Sequence, residues 1–275
     1  MAITVIVLIA GAYLVLVAVM YVFQRNLLYL PDTRAATPAA SGAPEMKEVL
    51  FRTADGLDLT SWYRQAVPGL PTLVYFHGNG GNISYRIFRV RPYLDRGYGL
   101  LLVEYRGYGG NPGSPHESGL YEDGRAAMAF VVGQGVPADD VVLYGESLGG
   151  GVAVRVAAEQ ARASEPVGAL ILEAPLSSVT DVAAHHYPFV PVRWLLKDRF
   201  DAVSSIKDVA TPVFVIHGDD DTVAPIRFGQ ALFAAAQDPK ESWWIPGGGH
   251  EDLHLFGLDS RVADFIDRHR AASRR

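Results

Sequence analysis

The chain contains no cysteine, which excludes a disulfide framework, a thiolate nucleophile and a cysteine-bound zinc. Lysine is scarce, four residues against twenty arginines, as codon bias in a GC-rich genome would produce. Positive charge is in the minority: 24 Lys and Arg face 30 Asp and Glu, a formal net charge of −6. A nucleic-acid binder normally carries a basic field, so this balance argues against nucleic acid as a partner. Charge is missing altogether from Ile3 to Phe23, and no basic side chain precedes that run. What is present is 49% hydrophobic residues in 275, too many for wholesale disorder. That length suits one domain of the larger α/β kind or two small ones.

At ~1.5 Å per residue the uncharged run spans roughly 31 Å, the thickness of a bilayer's hydrocarbon core. Tyr21, Phe23 and Tyr29 stand where an interfacial aromatic belt would lie. A cleaved signal peptide would want a basic lead, a shorter apolar core and a small-x-small site at its end; Met20, Tyr21 and Val22 are bulky. Residues 1–30 therefore read as a single-pass transmembrane anchor. Arg25, Arg34, Lys47 and Arg52 all follow it, so the positive-inside rule predicts a cytoplasmic-facing domain at the cell membrane. Residues 31–44 hold three prolines and small side chains and read as a linker, or as a segment packed along the domain surface. Residues 45–275 form the remaining domain.

There the pattern becomes regular. Met46–Arg52 and Leu57–Arg64 flank Ala54-Asp55-Gly56, which predicts a hairpin. Short unbroken apolar runs follow: Thr72–Phe76, Gly99–Glu104, Asp140–Gly145, Ala169–Glu173, Pro212–His217 and Ser242–Ile245. Continuous rather than alternating hydrophobicity suits a strand buried on both faces. Between them, Tyr85–Arg96, Tyr121–Gly133, Leu148–Arg162, Ile226–Gln237 and Leu258–His269 carry helical apolar spacing. The alternation predicts an α/β fold with a mostly parallel sheet and helices on both faces. Ligands in such sheets bind beyond the carboxyl ends of the strands.

The loops at those ends carry the chemistry. Gly145-Glu146-Ser147-Leu148-Gly149 is a G-x-S-x-G at a strand-to-helix junction, a turn sharp enough to strain the serine and to require glycine two residues either way. A serine hydroxyl needs a base. His250, in Gly247-Gly248-Gly249-His250-Glu251-Asp252 after the last strand, is the candidate, with His254 as a rival. His77 and His217 end strands before glycine and read as turn-shaping residues; the adjacent His185 and His186 point apart on a helix and make a poor metal pair. The acid belongs after the preceding strand, where Asp219, Asp220 and Asp221 are not separated by spacing alone; Glu173 is a weaker alternative. Two fixed N–H donors are needed for an oxyanion. Leu148 supplies one, and the other belongs in His77-Gly78-Asn79-Gly80-Gly81-Asn82. That stretch is no phosphate loop, since Ile83 stands in place of the third glycine of G-x-G-x-x-G. Nothing in the pattern calls for a metal or cofactor.

From about Glu48 to Phe256 the chain resembles the serine hydrolases of the α/β-hydrolase superfamily, and within them a small membrane-anchored branch that includes lysophospholipases and protein depalmitoylases. The resemblance rests on Phe76-His77-Gly78-Asn79, Tyr105-Arg106-Gly107-Tyr108-Gly109, Gly145-Glu146-Ser147-Leu148-Gly149-Gly150, His217-Gly218-x-x-Asp221 and Gly249-His250-Glu251-Asp252. It implies the α/β-hydrolase fold, Asp221 as the acid, Asn79 as the second oxyanion donor, and hydrolysis of carboxylic esters, lysolipids or thioesters through an acyl-enzyme. Depalmitoylases of that branch anchor through N-terminal cysteines; here the apolar run would take that place. Rival readings are a serine peptidase with the same triad and a membrane scaffold without chemistry. An insert at about 175–210 carries Tyr187, Phe189, Trp194, Leu195 and Leu196 and reads as a cap binding acyl chains, or as ordinary packing of a connecting helix. The basic end, Arg268, Arg270, Arg274 and Arg275, suits anionic lipid or simply a helix terminus.

Overall fold

The computed structural model of the chain describes residues 1–273. Its centre is an eight-stranded sheet: β1 (Lys47–Arg52), β2 (Asp58–Arg64), β3 (Thr72–Phe76), β4 (Gly99–Val103), β5 (Val141–Glu146), β6 (Ala169–Glu173), β7 (Val213–Gly218) and β8 (Lys240–Ile245). The spatial order is β8-β7-β6-β5-β3-β4-β2-β1. Only the β1–β2 and β2–β4 pairings are antiparallel; the rest are parallel. The β1–β2 turn uses Gly56 at φ +93°, a conformation without steric cost only for glycine, while Thr53 Oγ1 accepts from Leu57 N at 2.9 Å. Strands β3 to β7 are buried along their whole length, as their unbroken apolar sequences require.

Helices cover both faces. On one lie α2 (Ile87–Asp95) and the long helix at the end of the described chain (Leu258–Ser273), which bury Val90, Tyr93, Phe265 and Ile266. On the other lie α3 (Glu117–Gly133), α4 (Leu148–Arg162) and the helix Arg227–Ala235, which bury Met128, Val131, Val152 and Leu232. Removing such side chains from water stabilises the fold by roughly 1.5–3 kcal/mol each, before entropy is charged against it. Helix α3 begins at Glu117 rather than Tyr121, because His116 Nδ1 caps it by accepting from Gly119 N at 3.0 Å. The segment after β6 forms α5 (Val179–His186), capped by Ser178, and a short turn at Val192–Leu195.

Ahead of the sheet, α1 (Ala2–Leu28) is the one helix among the described residues long and apolar enough to cross a membrane, and none of its residues is fully buried. Residues 31–44 follow the domain surface. Leu30–Pro31 pairs in parallel with Gly80–Gly81, and Ala43 is buried. At the basic end, Arg268 pairs with Glu241 and Arg270 with Asp140; Arg274 and Arg275 lie outside the described residues.

Candidate active site

Strand β5 ends at Glu146 and α4 begins at Leu148, leaving Ser147 alone to make the turn. Its backbone takes φ 51° and ψ −116°, a costly conformation for a residue with a side chain, held by Ser147 N donating to Glu173 O at 2.9 Å. A Cβ on Gly149 would stand 2.1 Å from Phe76 O, and one on Gly145 would stand 2.5 Å from Gly150 Cα. The two glycines of the motif are thus steric necessities. The hydroxyl they present lies at the N-terminal end of α4, where free amides favour negative charge.

Three distant loops converge there. His250 Nε2 is 2.9 Å from Ser147 Oγ, and its Nδ1 is 2.7 Å from Asp221 Oδ2. Asp221 is buried; its other oxygen accepts from Val223 N at 2.9 Å and Ala224 N at 2.8 Å. Burial would raise this carboxyl's pKa, but hydrogen bonds from His217 and His250 outweigh it and hold the group well below the usual carboxylate range. The His250 loop can approach because Gly218 lies against it: a Cβ there would be 2.0 Å from Gly248 O.

The alternatives are placed elsewhere. Asp219 Oδ1 accepts from Gly247 N at 2.6 Å, and Asp220 is exposed. Glu173 binds Arg89 at 2.7 Å and the Tyr144 hydroxyl at 2.7 Å. His254 packs on Phe88 and contacts Glu251 O. His217, expected to shape a turn, instead touches the site: its Nε2 is 3.0 Å from Asp221 Oδ2 and 2.6 Å from Ala224 O. Both neighbours can only accept, so Nε2 carries the proton. The H-G-x-x-D spacing held that signal, but strand position alone did not reveal that the ring turns toward the carboxylate.

Asn79 and Leu148 flank Ser147 on the wall of one cavity of about 240 Å³. Among the described residues neither amide N–H has an acceptor. Asn79 is held from three sides: its Nδ2 donates to Leu28 O at 2.8 Å, and its carbonyl accepts from Leu30 N at 3.0 Å and the Tyr108 hydroxyl at 2.8 Å. Beneath, Glu146 receives Arg86 at 2.9 Å on each oxygen and the Tyr75 hydroxyl at 2.7 Å. Burial opposes its charge, yet Arg86 brings its pKa down to about 2. Of the large cap residues, Tyr187, Leu195 and Leu196 line the cavity, whereas Phe189 and Trp194 are exposed and do not.

The sequence profile of the α/β hydrolase fold matches residues 71–205. The chain belongs to the α/β-hydrolase superfamily. The hydrolase is 39% identical over 242 residues to the uncharacterized protein Rv2307c of Mycobacterium tuberculosis, covering 87% of this chain and 84% of that one. Among solved structures, an alpha-beta hydrolase from Vibrio vulnificus superposes with a TM-score of 0.73 at 23% identity, covering 90% of this chain and 92% of that one. The Pyrococcus furiosus esterase Pf2001 does so with a TM-score of 0.67 at 20% identity, covering 88% and 98%. These two likenesses establish a shared fold.

Proposed function

We propose that this α/β hydrolase is a membrane-anchored serine hydrolase that cleaves carboxylic esters, with Ser147 as nucleophile, His250 as base and Asp221 as the acid that orients it. The observation that carries the reading is the imidazole of His250 bridging Ser147 Oγ at 2.9 Å and Asp221 Oδ2 at 2.7 Å. With Nδ1–H donated to Asp221, Nε2 is free to accept the serine proton as Oγ attacks an ester carbonyl. The tetrahedral oxygen is received by the free N–H groups of Asn79 and Leu148. His250 then protonates the leaving alcohol, and an activated water releases the acid from the acyl-enzyme. The likeness to an esterase fold and the mainly apolar cavity support an acyl ester over a peptide. Helix α1 is the anchor in this reading and residues 45–275 the catalytic domain; the basic residues after the helix favour the cytoplasmic face by the positive-inside rule.

The test is fluorophosphonate labelling of the full chain and its Ser147→Ala variant, followed by a screen of p-nitrophenyl esters. Wild type should label and hydrolyse, and the variant should do neither. Labelling of equal strength in Ser147→Ala would remove the nucleophile from the scheme.

A further inference from the structure

The cavity above Ser147 has an unexpected wall. One side belongs to the cap, with Leu176, Val182, Val190 and Leu196. The other belongs to α1, with Val17, Met20, Leu27 and Leu28. On α1 the half-buried positions are Val17, Met20, Gln24 and Leu28, spaced by three or four and hence on one helical face. The rest of the helix up to Leu28 is exposed. The face that the domain screens is therefore also a face that the cavity touches.

Polar contacts hold the two walls together over a long stretch. The Tyr13 hydroxyl donates to Phe189 O at 2.7 Å. Lys197 N donates to Gln24 Oε1 at 2.7 Å, and Arg25 grips the buried Asp198 through two bonds of 2.8 and 3.0 Å. From Tyr13 to Arg25 the cap thus follows the helix for roughly 18 Å at ~1.5 Å per residue. Only Ala2–Ala12 stands clear of it, roughly 16 Å, about half of a ~30 Å hydrocarbon core. An α1 that spans the bilayer must therefore carry the cap tip below the interface. The tip is suited to that depth: Tyr187–Val192 holds no charged side chain, and Phe189 and Trp194 are exposed.

We propose that α1 is more than a tether: its Val17–Met20 stripe is the chain-length-determining wall of the site, against which an acyl chain lies after entering from the bilayer's hydrocarbon rather than from water. The proposal rests on the serine-hydrolase reading and adds the route and the measure of the substrate. Met20 lies roughly 12 Å up the helix axis from Leu28, whose carbonyl is tied to Asn79 beside Ser147. A short acyl group held at Ser147 does not reach it, and a long one does.

The experiment uses the full chain in phosphatidylcholine vesicles, with p-nitrophenyl butyrate and p-nitrophenyl dodecanoate as probes. Met20→Trp, which fills the channel, should lower the dodecanoate-to-butyrate ratio of kcat/KM at least tenfold. Leu8→Trp, on the exposed stretch of α1, should leave that ratio within twofold of wild type. An unchanged ratio in Met20→Trp overturns the proposal, as does an equal fall in Leu8→Trp. A second measurement needs no variant of α1. A dodecyl fluorophosphonate with a terminal diazirine is bound to wild type and illuminated. Crosslinks to α1 between Val17 and Tyr21 support the channel, and crosslinks confined to other elements overturn it. Capture of the probe before illumination reports separately on the underlying reading: capture that persists in Ser147→Ala breaks the serine assignment, not the channel.

Discussion

Replacing Asp221 by asparagine tests the proposed triad at its least exposed point. All four hydrogen bonds to this carboxylate come from donors: His250 Nδ1 and His217 Nε2 on one oxygen, Val223 N and Ala224 N on the other. An amide has one oxygen. If that oxygen keeps the two backbone N–H groups, the NH₂ faces both rings. His217 cannot adapt, because its Nε2 also lies 2.6 Å from Ala224 O and must stay protonated. His250 can adapt only by giving up its Nδ1 proton and carrying one on Nε2, where it donates to Ser147 and no longer accepts from it. Asp221→Asn should therefore lower kcat on p-nitrophenyl butyrate by about 10³–10⁴-fold, roughly 4–5 kcal/mol of transition-state stabilisation. Asp220→Asn changes only an exposed side chain and should stay within about twofold of wild type. An Asp221→Asn variant within tenfold of wild type, correctly folded by its tryptophan fluorescence, would refute the reasoning. So would an equal loss in Asp220→Asn.

Two stability predictions concern residues flanking Ser147. Adjacent glycines should respond in opposite ways: Gly149→Ala sets a Cβ 2.1 Å from a backbone oxygen and should cost about 3 kcal/mol or more, whereas Gly150→Ala meets nothing nearer than 3.5 Å and gains helix propensity of about 1 kcal/mol. Thermal unfolding of both variants in detergent decides this, and similar melting temperatures would contradict the steric account. The second concerns Glu146, whose folded pKa of about 2 lies below its ordinary 4.5. A depressed carboxyl stabilises the fold above its unfolded value and loses that contribution as pH falls toward its folded one, here across the window from about 4.5 down to 2, for roughly 3 kcal/mol. Glu146→Gln mimics the protonated form, so denaturant titrations should show its deficit against wild type narrowing from pH 5 to pH 2; a deficit independent of pH would mean that shape, not charge, couples Glu146 to Arg86.

What could be read from the sequence follows from how many constraints acted on each residue. Strands Thr72–Phe76 and Ala169–Glu173 match their expected ends because burial on both faces keeps every residue between those ends apolar or aromatic. Strand β8 starts two residues earlier than its apolar run, at Lys240, because an edge strand pairs on one side only and tolerates Lys240 and Glu241. Ser147 was legible because its turn demands glycine at two positions, a backbone requirement written directly in residue types. Asp221 stood out from its neighbours only through the resemblance, since three consecutive aspartates look alike until one of them is buried. The α1 stripe left no trace: a helix apolar on every face has no periodicity from which to read the side that meets protein.

The residue that joins the two halves of this picture is Asn79. It lines the cavity, and among the described residues its backbone N–H has no acceptor, which suits the proposed oxyanion role, while its side chain grips the last residue of α1 and its carbonyl takes an amide just beyond it. The chain leaving α1 then pairs as a strand with Gly80–Gly81, so the loop carrying the proposed donor is bonded on consecutive residues to the exit of the apolar helix. Helix α1, the segment after β6 and the Asn79 loop thus form one bonded unit: Arg25 and Tyr29 tie the end of α1 to Asp198, and Asn79 ties it to the loop. In the proposed reading, where α1 lies sets both the shape of the acyl channel and the position of the proposed donor, so a membrane that positions α1 would act on both.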